Sequence, residues 1–207
     1  MKHKHAQTLV PVHELIAQRW SSRSFDLQMP VALDIQLALM EAARWAPTCF
    51  DEEPWRFVVF DRHSDQVSWE MAQQCLSIWN RPWAERAPVL VLVACATNFT
   101  LNAEIQGQAN RWAAYDTGAA VENMVLQATA MGLMSRQIGG FDVELTRERF
   151  QVPQEFELLA FVAFGYPAAD AGHLYTKHQL AEASPRRRVP LADNVFAAQW
   201  GGKFNAD

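Results

Sequence analysis

The longest apolar run of the chain, Ala87–Ala96, holds no charged side chain. A membrane-spanning helix needs about 20 apolar residues, so this run is only half a span. Its Val and Leu content predicts a β-strand over Val89–Ala96. Because polar residues do not alternate with apolar ones, both faces of the strand must be covered. We therefore expect a sheet enclosed between two layers, in a soluble protein.

Helical and strand patterns surround this strand in an irregular order. Helical spacing predicts helices over 13–20, 32–45, 65–78, 106–132 and 145–150, and a short one between Pro82 and Pro88. Apolar, β-rich runs predict strands over 55–60 and 158–164, with a further extended segment over 133–138. Three or four non-consecutive strands among many helices indicate an α+β fold rather than regular βαβ units.

Two parts of the chain suggest contact with a second subunit. The predicted helix 106–132 is rich in alanine, and small side chains let a neighbouring helix approach closely. The last part of the chain, from residue 168, shows little periodicity. A tail of that length is expected to wrap around a partner.

Length and charge limit the class of protein. A chain of 207 residues is expected to form a single domain, here residues 13–207 after a flexible arm at 1–12. The net charge of −5 argues against nucleic-acid binding over a broad surface. The three cysteines share no C-x-x-C spacing, and the N-terminus has no apolar signal segment, so we expect a cytoplasmic protein. His3 and His5 could together bind a metal ion, but a solvated tail is favoured and no metal site is predicted.

Two arginine motifs lie near opposite ends of the chain. Arg19 and Arg23 flank Ser21, and guanidinium groups bind phosphate oxygens through two parallel hydrogen bonds. Three consecutive arginines, 186–188, form the second motif. Each motif alone is typical of a solvated, charged turn. Together they could close around one dianionic phosphate.

Two loops could present groups to a ligand. Residues 46–55 join a predicted helix to a predicted strand and carry small hydrogen-bonding side chains. Cys49 in this loop has no histidine nearby in the sequence, which favours a packing thiol over a nucleophile. Gly139 and Gly140 can bring backbone N–H groups close to a ligand, although an ordinary turn is an alternative. The chain has no dinucleotide-binding G-x-G-x-x-G motif and no Walker lysine motif.

Taken in chain order, these segments resemble the nitroreductase family of FMN-dependent oxidoreductases over about residues 13–202. RWSSRSF at 19–25 is similar to the family's opening Arg-x-Ser-x-Arg-x-Phe, and APTCFDEEPW at 46–55 to its A-P-S-S-x-N-x-Q-P-W loop. The segment around Asn80 resembles the one that places a flavin-contacting Asn before the apolar strand. IGGFD, GYP and RRRVPL resemble the later flavin loop, the last core strand and the terminal phosphate clamp. No segment is specific to the family by itself, whereas their common order is.

The resemblance implies a nitroreductase-like α+β fold with a mostly antiparallel central sheet wrapped by helices. It implies an intertwined homodimer with an exchanged C-terminal tail, two FMN molecules at the interface and a small-molecule substrate. NAD(P)H would deliver hydride to FMN and leave before an electron-poor acceptor, such as a nitroaromatic or a quinone, takes two electrons in a ping-pong sequence. Because the flavin supplies the chemistry, no side chain is named as a general acid or base.

The resemblance also assigns the phosphate end of the cofactor. Arg19 and Ser21 correspond to residues that bind the FMN phosphate and ribityl chain, with Trp20 contributing backbone. Arg186 and Arg188 correspond to the basic pair that completes the phosphate site, and the two arginine motifs are expected to meet across two polypeptides.

The remaining assignments concern the flavin ring. Arg23 corresponds to a cation near the pyrimidine end, where positive charge favours the reduced cofactor. Asn80 corresponds to a side chain that hydrogen bonds to the ring, and Gly139 and Gly140 to a loop approaching its N5 edge. The loop that reaches the flavin from the other subunit corresponds to Pro47, Thr48 and Cys49.

Three residues depart from the family pattern. Asp51 and Glu53 stand where Asn and Gln are usual, and Trp83 stands where a basic residue is common. An ionised Asp51 would disfavour the reduced flavin, whereas a protonated one could donate a hydrogen bond as Asn does. These changes predict a lowered flavin potential. They also leave an alternative, an FMN-binding dimer with weak or lost reductase activity that acts in flavin binding or regulation. A further alternative is an anion- or nucleic-acid-binding module built on residues 186–188.

Overall fold

The computed structural model describes residues 4–204. The helices are Glu14–Gln18 (α1), Leu33–Arg44 (α2), Gln66–Cys75 (α3), Arg81–Ala84 (α4), Ala113–Ala130 (α5), Val143–Arg149 (α6) and Thr176–Ala183 (α7). The strands are Trp55–Asp61 (β1), Val89–Ala96 (β2), Met134–Ile138 (β3) and Phe156–Gly165 (β4). No helix within 4–204 has both the length and the apolar character needed to cross a lipid bilayer.

The four strands form one antiparallel sheet in the order β1-β2-β4-β3. Strand β2 is buried along its whole length, and successive side chains enter opposite cores. Leu90 and Leu92 pack with α3 and α4, whereas Val91 and Val93 pack with α2 and α5. Each such side chain contributes about 1.5–3 kcal/mol by leaving water. The predicted α+β fold, with an antiparallel sheet wrapped by helices, is confirmed.

The long helix is shorter than its sequence predicts. The alanine-rich pattern predicted helix over 106–132, but α5 begins at Ala113. Gly107 has a φ of +82°, and the Asn110 side chain accepts a hydrogen bond from the Trp112 backbone N–H at 3.0 Å. This polar turn continues the loop that follows β2, so the first residues of the predicted helix are not helical.

The C-terminal part contains a helix that the sequence patterns missed. Residues Thr176–Ala183 form α7, in which His178 is the buried residue. A helix with so small a buried surface has no apolar stripe, which is the signal that periodicity detects. Helix α7 leads into the arginine-rich segment 186–188.

Backbone bridges hold the segment after α1 against the edge of the sheet. Ser21 pairs with Ser135 of β3 in a parallel bridge, and Phe25 pairs with Pro167. At the other end of β3, Asp142 begins α6 by accepting a hydrogen bond from the Leu145 backbone N–H. Strand β3 therefore joins the first arginine motif to the glycine loop.

Candidate functional site

A cleft of about 210 Å³ lies where the two arginine motifs meet. Its lining residues are Lys4, Arg19, Trp20, Ser21, Arg23, Ala181, Glu182, Ser184, Pro185, Arg186 and Arg188. We call it the cationic cleft. It contains every predicted phosphate-end residue together with Arg23, and Arg187 does not line it.

The two motifs converge within one chain, which corrects the expectation that they would meet across two polypeptides. The cause is the fold of α7, which returns the chain to the region after α1. Glu182 accepts hydrogen bonds from Ser22 Oγ and from the Arg23 backbone N–H, both at 3.0 Å. Arg186 Nη1 donates to the Ala17 carbonyl at 2.7 Å, near the end of α1 where carbonyl groups lack helical partners. Exchange of the remaining tail between subunits stays a prediction.

The cationic cleft holds far more positive than negative charge. Five cationic side chains line it, and Glu182 is the one acidic residue among its lining residues within 4–204. Burial lowers the pKa of Arg186, and the neighbouring Arg19 and Arg188 lower it further. The buried Arg23 Nε has no hydrogen-bond partner among the described residues. Since like charges held together are unfavourable without a counter-charge, the cleft is suited to an anion.

Arg136 adds a cation that the sequence assignment missed. Its Nη1 donates to the Ser21 carbonyl at 2.7 Å, and its guanidinium carbon lies 5.4 Å from the centre of the Trp83 ring. Burial, followed by repulsion from Arg23, lowers the pKa of Arg136 to about 10. Trp83 is 1% exposed and belongs to the core. Arg136 therefore places a positive charge beside Trp83, the residue that stands where the family commonly has a basic one.

Asn80 and the glycine loop meet at the far end of β3. Asn80 Nδ2 donates to the Gly140 carbonyl at 3.0 Å and to Ser77 Oγ at 3.2 Å. A Cβ atom at Gly140 would lie 2.8 Å from Asn80 Nδ2, so a larger residue here would displace the Asn80 side chain from its present position. A Cβ at Gly139 would meet open space.

Strand β3 sets the distance between these two groups of residues. A strand rises about 3.3 Å per residue, so Ser135 and Gly139 are roughly 13 Å apart. The cationic cleft lies beside Ser135, and the Asn80–Gly140 contact lies beyond Gly139. An elongated ligand with an anionic end and a hydrogen-bonding ring, such as FMN, fits this arrangement of donors.

The loop of residues 46–53 is attached to α5 rather than to the cationic cleft. Asp116, in the first turn of α5, accepts hydrogen bonds from Thr48 Oγ1 at 3.1 Å and from the Cys49 backbone N–H at 2.8 Å. No hydrogen bond or ion pair of residues 4–204 joins Pro47, Thr48, Cys49 or Asp51 to the cleft of the same chain.

The backbone of this loop is strained. Phe50, Asp51 and Glu53 have φ values of +57°, +54° and +46°, a left-handed conformation that side chains disfavour. Such a conformation persists only where surrounding contacts hold it.

A buried carboxylate supplies much of that support. Glu52 is 1% exposed and accepts a hydrogen bond from Thr100 Oγ1 at 2.7 Å and others from the backbone N–H groups of Thr100, Leu101 and Asn102. Burial raises the pKa of Glu52, but these hydrogen bonds outweigh burial and the pKa lies below its ordinary value. Glu52 therefore fixes the loop to the segment that follows β2.

The structure thus adds a group of charged residues that sequence reasoning did not assign. They are Lys4, Glu52, Asp116, Arg136 and Glu182. Arg136 lies within the segment that contains the two glycines, so its charge in a predicted strand was a usable signal. The others become neighbours of the site only through tertiary contacts.

Of the two histidines of the N-terminal arm, His5 lies within the described residues. His5 Nε2 lies 3.3 Å from Glu14 Oε1, and His3 is outside the described residues. Within 4–204, no cluster of three or more His, Cys, Asp or Glu side chains could hold a metal ion.

Comparison with known proteins concerns the family and the fold of the chain. The model of the nitroreductase family matches residues 16–166. A solved structure described as an oxidoreductase containing FMN superposes with a TM-score of 0.89 at 31% identity, covering 98% of this chain and 100% of that one.

Two protein sequences give further similarity. A Methanothermobacter thermautotrophicus protein, whose name proposes an NADH dehydrogenase/NAD(P)H nitroreductase, is 28% identical across 78% of this chain and 80% of its own. An uncharacterised 15.4 kDa protein of Mycolicibacterium smegmatis is 35% identical over a segment that covers 44% of this chain and 60% of that protein.

Proposed function

Because the chain belongs to the nitroreductase family, we propose that it binds FMN and catalyses NAD(P)H-dependent reduction of electron-poor acceptors. The observation that carries this proposal is the cationic cleft at one end of β3, with Asn80 and Gly140 in contact beyond the other. The name of the M. thermautotrophicus relative supports NAD(P)H as the hydride donor. FMN, when bound, accepts a hydride and passes two electrons to the acceptor.

In this proposal the phosphate lies in the cationic cleft. Arg19, Arg186 and Arg188 bind its oxygens through charge-assisted hydrogen bonds, and Ser21 adds a short one. Arg136 lies on β3 and Arg23 in the segment that bridges to this strand, and their positive charge would stabilise the reduced cofactor.

The ring end is held by residues beyond β3. Asn80 is fixed by Ser77 and Gly140, which leaves its side-chain carbonyl free to accept a hydrogen bond from the ring. Gly139 and Gly140 allow close approach of their backbone. The proposed reaction follows a ping-pong sequence, in which NAD(P)H would leave before the acceptor binds.

We also propose that the protein is a homodimer. The chain exposes 12,284 Å², whereas a monomeric protein of this mass exposes about 9,700 Å². The exposed face of α5 carries Ala114, Tyr115 and Gly118, and Trp200 near the end of the chain is 92% exposed. A partner that covers these surfaces would receive the loop of residues 46–53 at its own cofactor.

The cysteines support placement in a reducing compartment, the cytoplasm. Cys49, Cys75 and Cys95 are free thiols. Burial raises the pKa of Cys95 to about 11, which makes this thiol unreactive.

The experiment that tests the function begins with the purified protein. We expect a flavin absorption spectrum with about one FMN per chain and oxidation of NADH or NADPH when a quinone or a nitroaromatic is added. A colourless protein that takes up no FMN would contradict the proposal. Bound FMN without turnover on any acceptor would instead favour the flavin-binding alternative suggested by Asp51 and Glu53.

A matched pair of variants tests the placement of the phosphate. Arg188→Ala removes a cation that lines the cleft, whereas Arg187→Ala removes its exposed neighbour outside it. Loss of a hydrogen bond between charged groups costs about 2 kcal/mol, so FMN should dissociate from Arg188→Ala with a Kd about thirtyfold higher. Equal effects of the two substitutions would argue against this placement.

A further inference from the structure

Lys4 of the N-terminal arm forms part of the wall of the cationic cleft, and hydrogen bonds hold the arm there. The Ala6 backbone N–H donates to the Ala17 carbonyl at 2.9 Å. Arg186 Nη1 donates to the Lys4 carbonyl at 3.2 Å as well as to that of Ala17. One guanidinium group thus joins the arm, the end of α1 and the C-terminal segment.

The Lys4 side chain extends into this junction. Its Nζ donates to the Ala181 carbonyl at 2.5 Å and lies 4.4 Å from the centre of the Trp20 ring. An ammonium group has three N–H donors, and one carbonyl uses one of them. Lys4 forms no ion pair within 4 Å among the residues that the structure describes.

The charges around Lys4 favour an anion beside it. Burial lowers the pKa of Lys4, Glu182 raises it, and Arg23 and Arg186 lower it again. The Glu182 carboxylate already accepts hydrogen bonds from Ser22 and from the Arg23 backbone. Bringing a further cation among four arginines costs free energy, which a bound dianion would offset.

We propose that Lys4 is a phosphate ligand of the cofactor site, so that the folded N-terminal arm makes the chain select FMN over riboflavin. This assignment rests on the proposed function, since it takes the anion in the cleft to be the FMN phosphate. The ammonium group would then bind the phosphate oxygens together with the arginines that line the cleft. The arm is then a part of the binding site.

A merely structural role for Lys4 makes a different prediction. If the ammonium group only attached the arm to Ala181 and Trp20, its loss would weaken FMN and riboflavin binding equally. A phosphate ligand affects FMN alone, because riboflavin lacks the phosphate but shares the ring and the ribityl chain.

The test measures both flavins on the full-length chain stripped of cofactor. Lys4→Met removes the charge and retains an unbranched side chain that can cover Trp20. Lys177→Met is the matched control, because Lys177 Nζ lies 4.7 Å from the Trp79 ring and does not line the cleft. We expect the FMN Kd of Lys4→Met to rise about tenfold, near the lower limit for one charge-assisted hydrogen bond. Its riboflavin Kd should stay within about twofold of wild type, a difference too small for such a bond.

The remaining outcomes separate the two proposals. Lys4→Arg should keep the preference for FMN, and Lys177→Met should change neither Kd. Equal shifts for both flavins, or no shift, would overturn the role of Lys4 while leaving the proposed function in place. A wild-type chain that binds neither flavin would overturn both.

Discussion

In the cationic cleft five positively charged side chains surround one carboxylate, whereas in the loop of residues 46–53 one buried carboxylate is surrounded by neutral donors. Both carboxylate oxygens of Glu52 accept hydrogen bonds, from Thr100, Leu101 and Asn102, so the hydrogen bonding of this carboxylate is complete. In the cleft, Arg23 Nε remains without a hydrogen bond among residues 4–204.

The comparison distinguishes two kinds of charged group. Glu52 stabilises the fold, whereas the cations of the cleft are suited to binding an anionic ligand. A buried charge whose hydrogen bonds are complete stabilises the folded chain, as Glu52 does for a strained loop. Charges of one sign that outnumber the opposite charges around them do not stabilise the chain by themselves. We therefore expect substitutions in the loop to reduce stability, and substitutions in or beside the cleft to change cofactor binding or potential.

The largest effect is expected for the loop. Glu52→Ala removes the acceptor for several buried N–H and O–H groups, which should lower the free energy of unfolding by about 3 kcal/mol. Urea denaturation of the flavin-free chain measures this. Glu53→Ala is the control, because Glu53 is exposed and follows Glu52 directly. A loss of similar size in both variants would remove the contrast between loop and cleft.

The same carboxylate predicts a dependence of stability on pH. The pKa of Glu52 is lowered in the folded chain, so its stabilising contribution is complete above the unfolded value of about 4.3. That contribution is lost as the pH falls through the lower, folded pKa. Stability measured from pH 6 downward should therefore fall less steeply in Glu52→Gln than in the wild type.

A smaller effect is expected beside the cleft. Arg136→Met removes a cation near the proposed ring position, so the reduced cofactor is less stable and the midpoint potential falls. A change of about 1.4 kcal/mol corresponds to about 30 mV for a two-electron couple.

Arg62→Met provides a matched control for Arg136. Arg62 Nη2 donates to the Glu85 carbonyl at 2.6 Å, and its guanidinium carbon lies 4.3 Å from the Trp69 ring centre. It makes the same kinds of contact as Arg136, but with Glu85 and Trp69 instead of Ser21 and Trp83. An unchanged potential in Arg136→Met, or an equal shift in both variants, would show that Arg136 has only a packing role.

Glu182 tests whether the cleft is limited by its one carboxylate. Glu182→Gln removes the negative charge and keeps one acceptor oxygen for the Arg23 backbone N–H, while its amide N–H can donate to the Ser22 hydroxyl. FMN binding should tighten about fourfold at low salt, equivalent to about 0.8 kcal/mol, and this gain should shrink at high salt. Riboflavin binding should not change. Weaker FMN binding would mean that Glu182 is needed to shape the cleft more than it opposes the anion.

The smallest effect is expected for Asp51. In the proposed dimer its carboxylate lies near the partner's cofactor, so Asp51→Asn should raise the midpoint potential. Because Asp51 is exposed and solvent screens its charge, the rise should be about 10 mV, or roughly 0.5 kcal/mol. Potentiometry on the holoenzyme measures this rise. A fall in potential would contradict the predicted lowering of the potential by Asp51.

The sequence by itself determined the central strand and the two arginine motifs. An unbroken apolar run can be stable only between two covered faces, so Val89–Ala96 predicted its own burial without reference to any other segment. The arginine motifs and the paired glycines could be recognised in the sequence for a similar reason, since their chemistry depends on residue type and short spacing.

Tertiary structure alone decided which distant groups meet and which charges are already satisfied. Helix α7 has no apolar stripe, and its return toward α1 is what brings Arg186 and Arg188 to Arg19 within one chain. Lys4, Glu52 and Asp116 have no local signal, because their roles depend on hydrogen-bond partners from 48 to 177 positions away. Hydrogen bonding and burial are set by such long-range contacts. Only the folded chain therefore distinguishes the Glu52 carboxylate, which stabilises a loop, from the cations of the cleft, which are suited to binding an anion.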